Sequence, residues 1–158
     1  MRQPCHSWPP ALALVAALLP AVPASAGDEV ELERLTSERV SLSIAPGGRP
    51  TVLHFWATWC PSCVEELSTL DEVAASCAAR VRVLAVNVGE DVETIAAFLR
   101  NHPLRLEVLR DPRGRVYRRL AGSGLPANYT VGREEGQTIY GPLSASGWAD
   151  LFAGAGCP

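Results

Sequence analysis

The run Thr51-Val52-Leu53-His54-Phe55-Trp56 is β-branched and aromatic, and Cys60-Pro61-Ser62-Cys63 follows three residues later. The run has the composition of a buried strand. Pro61 fits the first turn of a helix, where its missing N–H costs nothing. Leu67, Leu70, Val73 and Ala74 then recur at helical spacing, which predicts a helix from Pro61 to about Ala79. Both cysteines are thereby placed at a strand-to-helix junction. The first sulfur would lie near the unpaired N–H groups and the positive end of the helix dipole. That setting favours thiolate over thiol. The spacing therefore assigns Cys60 as the attacking sulfur and Cys63, one turn on, as the resolving one. The alternative, half of a zinc site, needs two further ligands. Cys77 and Cys157 do not form a second close pair and His54 falls inside the strand, so no metal is expected.

The remaining pattern alternates. Glu29–Leu35 and Arg39–Ile44 read as strands about a turn, and Pro46-Gly47-Gly48 as a second turn. Val81–Val88 is an apolar strand, and Val92–Asn101 a helix with Pro103 just beyond its end. Leu106–Leu109 reads as a short strand, and a short helix starts at Asp111-Pro112 and ends near Ala121. Pro126–Val131 and Thr138–Tyr140 read as strands about a turn at Glu135-Gly136, and Ser146–Ala153 as a closing helix. The order predicts an α/β sandwich.

With 158 residues and 47% hydrophobic content, one domain with one core is expected. A net charge of −3 gives no footprint for nucleic acid. Every basic residue is Arg, so lysine chemistry is excluded. Arg2, the apolar stretch Ala11–Val22 and the small residues Ala24-Ser25-Ala26 read as a secretory signal over residues 1–26, cleaved after Ala26. The apolar run is short for a spanning helix, although an uncleaved anchor is the alternative. Cys5 would leave with the signal, and residues 27–158 would form the domain with Cys60, Cys63, Cys77 and Cys157. An exported chain meets an oxidising compartment, where an even cysteine count is favoured.

With these residues placed, the chain resembles the thioredoxin superfamily and, within it, the TlpA/ResA-like branch that includes the DsbE/CcmG-type reductases. The resemblance is carried by Phe55-Trp56-Ala57-Thr58-Trp59-Cys60-Pro61-Ser62-Cys63, by Glu66 in the helix behind, by Leu84-Ala85-Val86-Asn87-Val88-Gly89-Glu90 and by Gly124-Leu125-Pro126. It implies an α/β thioredoxin-like fold, a central mixed β-sheet with helices on both faces, and a cis bond before Pro126, with the Leu125 backbone left free to pair with an extended substrate. It also implies Glu90 near the dithiol, able to exchange a proton with Cys63, against the alternative of a solvated loop acid. Trp59 would pack beside Cys60 and shape access, while Trp56 reads as a core aromatic. His54 stands where thioredoxins carry a buried acid, and reads as a core histidine or a proton relay. Ser62 replaces a proline frequent in this branch. The fold's geometry would also bring the active-site helix and the last helix onto one sheet face, which allows a structural Cys77–Cys157 disulfide. Cys77 lies about 21 Å along the helix from Cys63, too far to act as a resolving thiol.

The resemblance implies an exported thiol–disulfide oxidoreductase that reduces disulfides in other exported proteins, such as apocytochrome c or a copper-site assembly factor. A membrane thiol donor would supply its electrons, and it would need no dissociable cofactor. Two alternatives stand beside this: an oxidant that installs disulfides, since direction depends on potential, and a non-catalytic binding or assembly module, including a metallochaperone.

Overall fold

The computed structural model describes residues 28–132 and 134–157. The expected signal over residues 1–26, with Cys5, lies outside the described residues. Among the described residues no helix is long and apolar enough to cross a membrane.

Seven strands form one mixed sheet. In chain order they are β1 (Glu29–Arg34), β2 (Arg39–Ser43), β3 (Thr51–Trp56), β4 (Arg82–Val88), β5 (Glu107–Asp111), β6 (Ala127–Val131) and β7 (Gln137–Tyr140). The helices are α1 (Pro61–Cys77), α2 (Val92–Asn101), α3 (Arg115–Leu120) and α4 (Ala145–Ala153). Across the sheet the strand order is β2-β1-β5-β4-β3-β6-β7. The central pairs β3–β4 and β4–β5 are parallel, with α1 and α2 as their crossovers, and the outer pairs are antiparallel. This is the thioredoxin-like arrangement expected.

All six residues of β3 are buried because the sheet is covered on both sides. Val52 packs with Leu70, Trp148 and Phe152 of α1 and α4, and Trp56 with Leu67 of α1 and Ile95 and Phe98 of α2. Leu53 and Phe55 face the other way, toward Val116 and Tyr117 of α3, with Leu84, Val86 and Leu109 beside them. The period-2 alternation of a strand thus divides the run between two cores.

β3 and α2 coincide with the sequence reading, and apart from β5 and α3 the other ends coincide or differ by one or two residues. The larger corrections fall around residues 106–115. The strand read as Leu106–Leu109 is Glu107–Asp111, held in parallel register against Leu84–Val88. The helix expected from Asp111-Pro112 starts at Arg115. Asp111 ends β5 and its carboxylate accepts from the N–H groups of Arg115 (2.9 Å) and Tyr117 (2.8 Å), donors that would otherwise be orphaned. Gly136 lies where a Cβ would overlap the hydroxyl end of Tyr129, so any larger residue in the β6–β7 connection would require that ring to move.

Candidate active site

α1 starts where the geometry of β3 delivers the chain to the edge of the sheet. Cys60 is the N-cap residue, in extended conformation, with Pro61 at the first helical position. Its Sγ accepts from the backbone N–H of Cys63 at 3.3 Å, so the sulfur itself caps the helix. The Ser62 hydroxyl is 3.6 Å from the same sulfur. Cys60 and Cys63 are disulfide-bonded, with Cα atoms 5.2 Å apart. Cys63 is fully buried and Cys60 is 5% exposed, so the outer sulfur alone reaches the surface. Trp59 is 69% exposed, whereas Trp56 is fully buried with its ring 5.1 Å from Phe98. Trp59 is therefore a surface feature beside the dithiol, and Trp56 is a core residue.

Glu90 follows β4 and reaches across to the loop before the cysteines. Its carboxylate accepts from the Thr58 N–H (2.8 Å), the Thr58 hydroxyl (2.5 Å) and Asn87 Nδ2 (2.6 Å). These charge-assisted bonds fix the Ala57-Thr58-Trp59 turn to the end of β4. Glu90 is thus a half-buried latch on the active-site loop, not a solvated acid.

A second carboxylate lies on α1 itself, and here the sequence reading assigned no role. Glu66, one turn beyond Cys63, has a fully buried side chain, as does His54. His54 and Asn128 are direct cross-strand partners on β3 and β6. His54 Nδ1 is 2.7 Å from Asn128 Oδ1, and Asn128 Nδ2 donates to Glu66 Oε1 at 3.2 Å. The Leu143 N–H also donates to Oε1, at 2.9 Å. Because Nδ1 faces an amide oxygen it carries the hydrogen, which leaves Nε2 as a bare acceptor. His54 Nε2 and Glu66 Oε2 have no partner within hydrogen-bond distance.

Burial pushes the Glu66 carboxyl above its usual range, opposed by the bonds from Leu143 and Asn128 and by the indole of Trp148. Burial also lowers His54 to about 4, opposed by Asn128. The imidazole is therefore neutral at pH 7 and its 3.9 Å approach to Glu66 is not an ion pair. The signals for this cluster were the i, i+3 spacing of Cys63 and Glu66 and the inward phase that His54 shares with Val52 and Trp56. Asn128 needed the strand register.

The Leu125–Pro126 bond is cis. Leu125 is partly buried and packs against both cores that meet at this end of the sheet. The loop is anchored on each side. Gly124 N–H donates to the Tyr117 hydroxyl (2.7 Å), and the Tyr140 hydroxyl donates to the Ala121 carbonyl (2.6 Å). Far from the dithiol, α1 packs on α4 and ends at Cys77, which is disulfide-bonded to Cys157 with Cα atoms 5.7 Å apart.

Comparison with known proteins agrees with this geometry. Residues 24–136 match the AhpC/TSA family. The chain is 30% identical to sporulation thiol-disulfide oxidoreductase A of Bacillus subtilis over 146 residues, covering 88% of this chain and 84% of that one. It is 32% identical to the soluble secreted antigen MPT53 of Mycobacterium tuberculosis over 114 residues, covering 68% and 65%. Among solved structures, StoA of Bacillus subtilis superposes with a TM-score of 0.64 at 25% identity, over 83% of this chain and 98% of that one. The Mycobacterium tuberculosis DsbF structure, at 23% identity, shares the fold with a TM-score of 0.71 over 81% and 96%. The cysteine pair, the sheet order and these likenesses converge: the chain belongs to the AhpC/TSA family and, within it, to the thioredoxin-like thiol–disulfide oxidoreductases.

Proposed function

We propose that this protein reduces disulfides in other exported proteins, with Cys60 as nucleophile and Cys63 as resolving thiol. The observation that carries the reading is the Cys60 sulfur at the N-cap of α1, accepting the Cys63 N–H while being the only one of the pair at the surface. In the reduced protein a helix N-terminus favours the Cys60 thiolate. The thiolate attacks one sulfur of a substrate cystine and expels the other as a thiolate, forming a mixed disulfide. The Cys63 thiolate then attacks Cys60 Sγ, closes the internal disulfide and releases the second substrate sulfur. Two electrons pass from the dithiol to the cystine. The two protons of the Cys60 and Cys63 thiols end on the substrate.

Cys63 must lose its proton inside the protein, since it is fully buried. Two carboxylates withdrawn from solvent lie on the elements that hold it: Glu66 on the same helix and Glu90, bonded to the loop before Cys60. Glu90 is engaged with Thr58 and Asn87, so its part is to hold the turn and to polarise it, with proton exchange open to it only if that latch loosens. Pro126, with Leu125 before it, offers the edge on which an extended substrate segment pairs, and Trp59 borders the entry.

The secreted relative supports an extracytoplasmic setting, and the residue 1–26 signal would deliver the chain there. Apocytochrome c or a copper-site factor would be suitable substrates, and a membrane thiol donor would return the electrons. The direction is tested by equilibrating the Cys60–Cys63 pair in thiol buffers and following Trp fluorescence, with Cys60→Ser as blank. A potential of about −270 mV supports a reductant, and one of about −120 mV assigns an oxidant and overturns the direction. In parallel, Cys63→Ser should accumulate mixed disulfides with exported proteins. If it traps none while Cys60 stays reactive to a small disulfide, the protein-substrate reading fails.

A further inference from the structure

Half of the 14 arginines of the chain lie between residues 100 and 119. Three of them, Arg113, Arg115 and Arg118, are exposed at the start and on the outer side of α3. Their neighbours on that helix divide by face: Val116, Tyr117 and Leu120 pack into the sheet. Arg119 is set apart, because it bonds the Glu29 carbonyl. Among the described residues, the side chains of the other three have no hydrogen-bond or ion-pair partner. Arg115 is the first helical residue, at the positive end of the dipole, and the first turn has no acidic residue. Arg115 and Arg118, three apart on a six-residue helix, repel each other.

The nearby acids are otherwise engaged. Asp111 caps α3, Glu90 is latched to Thr58 and Asn87, and Asp91 caps α2 through Thr94. On the adjoining strand β1, Val30 and Leu32 face the α3 core, so the alternating Glu29, Glu31 and Glu33 face the other side of the sheet. Glu33 there pairs with Arg110.

The patch lies at the same end of the sheet as the dithiol. β5 runs into α3, and β3 runs into Cys60, at the same end of the sheet with β4 between them. Two strand spacings separate those ends, about 10 Å. Gly114, against Val88, has Arg118 as its close neighbour, which places that guanidinium at the end of β4 near Gly89. Tyr117, between the arginines, holds Gly124 of the Leu125–Pro126 loop.

From this placement we infer that Arg113, Arg115 and Arg118 form a docking surface for an acidic polypeptide segment of the disulfide partner. A segment with its cystine at Cys60 spans about 10 Å in three extended residues, so acidic residues three to five positions from the reacting cysteine reach the patch. A charged rim of this kind acts on the encounter rate and its salt dependence more than on the chemistry. The inference rests on the exchange reading above, and the experiment separates the two.

The probes are two synthetic peptides with one internal cystine, identical except for Glu or Lys at positions three to five residues on either side, and the uncharged bis(2-hydroxyethyl) disulfide. Rate constants for oxidation of the reduced full-length protein are measured at low and high NaCl. The Glu peptide should react about tenfold faster than the Lys peptide at low salt, with the advantage shrinking at high salt. Arg115→Glu/Arg118→Glu should reverse the preference, and Arg115→Gln/Arg118→Gln should abolish it. Both variants should keep the rate with the uncharged disulfide within about twofold, which also reports that they fold. Equal rates for the two peptides, or a preference that survives both variants, overturn the proposal. So does selective binding of the protein to phosphatidylglycerol vesicles, lost in the variants, when the peptides are not discriminated. No reaction with the uncharged disulfide at all sinks the exchange reading instead.

Discussion

Removing the Cys77–Cys157 bond should cost much stability and little activity. Cys77 ends α1, and Cys157 follows α4, which packs against the same helix. The bond spans a sequence separation of 80, for which the chain-entropy relation gives about 4.5 kcal/mol. Natural domains are stable by about 5–15 kcal/mol, so this is a large share of the total. Cys77 is 3% exposed, so alanine is the right replacement: a serine hydroxyl there would be buried in an apolar cluster. The assay is urea unfolding of the oxidised protein and of Cys77→Ala/Cys157→Ala, followed by far-UV circular dichroism. With a slope of about 2 kcal/mol per molar urea, the midpoint should fall by about 2 M. Reduction of the unvaried protein is not an equivalent test, because it also opens Cys60–Cys63. The rate of exchange at Cys60 should change less than twofold, since Cys77 lies about 21 Å along α1 from Cys63. A loss below about 1 kcal/mol would refute the reasoning and show that the closed loop does not constrain the unfolded chain.

Other outcomes follow from the buried polar groups and the exposed tryptophan. His54 is held near 4 against an ordinary 6.5, so the unfolded chain takes up its proton first as pH falls. The His54 contribution to stability is complete above pH 6.5 and is lost between 6.5 and 4, by about 3 kcal/mol; urea midpoints at pH 7 and 4.5 should show this component absent in His54→Asn. Glu66 is raised, so its contribution has the opposite sign: stability present below pH 4.5 is lost as pH rises through its folded value, and Glu66→Gln should remove that loss in the same titration. Asp71 is lowered, with burial outweighed by bonds from Arg105 and the Leu106 N–H. Asp71→Ala should destabilise by about 2 kcal/mol at pH 7, with the difference disappearing as pH falls below the ordinary carboxylate range. Trp59→Ala should shift the urea midpoint negligibly, because the side chain is 69% exposed, while changing the rate with a peptide disulfide.

Local order along the chain was enough to specify the parts of this protein that depend on near neighbours. β3 and α2 matched residue for residue because hydrophobic content and helix stops are local signals, read from Thr51–Trp56 and from the apolar positions of Val92–Asn101 with Pro103 just beyond. The dithiol was equally legible, since four consecutive residues at a strand-to-helix junction set both the spacing of the sulfurs and their exposure to the helix end. The tertiary structure decided whatever depends on register. Asp111 stayed in β5 because the parallel ladder opposite Val88 and the donors of Arg115 and Tyr117 both claim it, and no local signal weighs those against a helix start. His54, Glu66 and Asn128 are separated by 12 to 74 residues in sequence. They meet because β6 lies antiparallel to β3 and pairs His54 with Asn128 while α1 folds back over both. The order of the strands supplies that proximity, and it comes from long-range burial, which a single pass along the chain does not record.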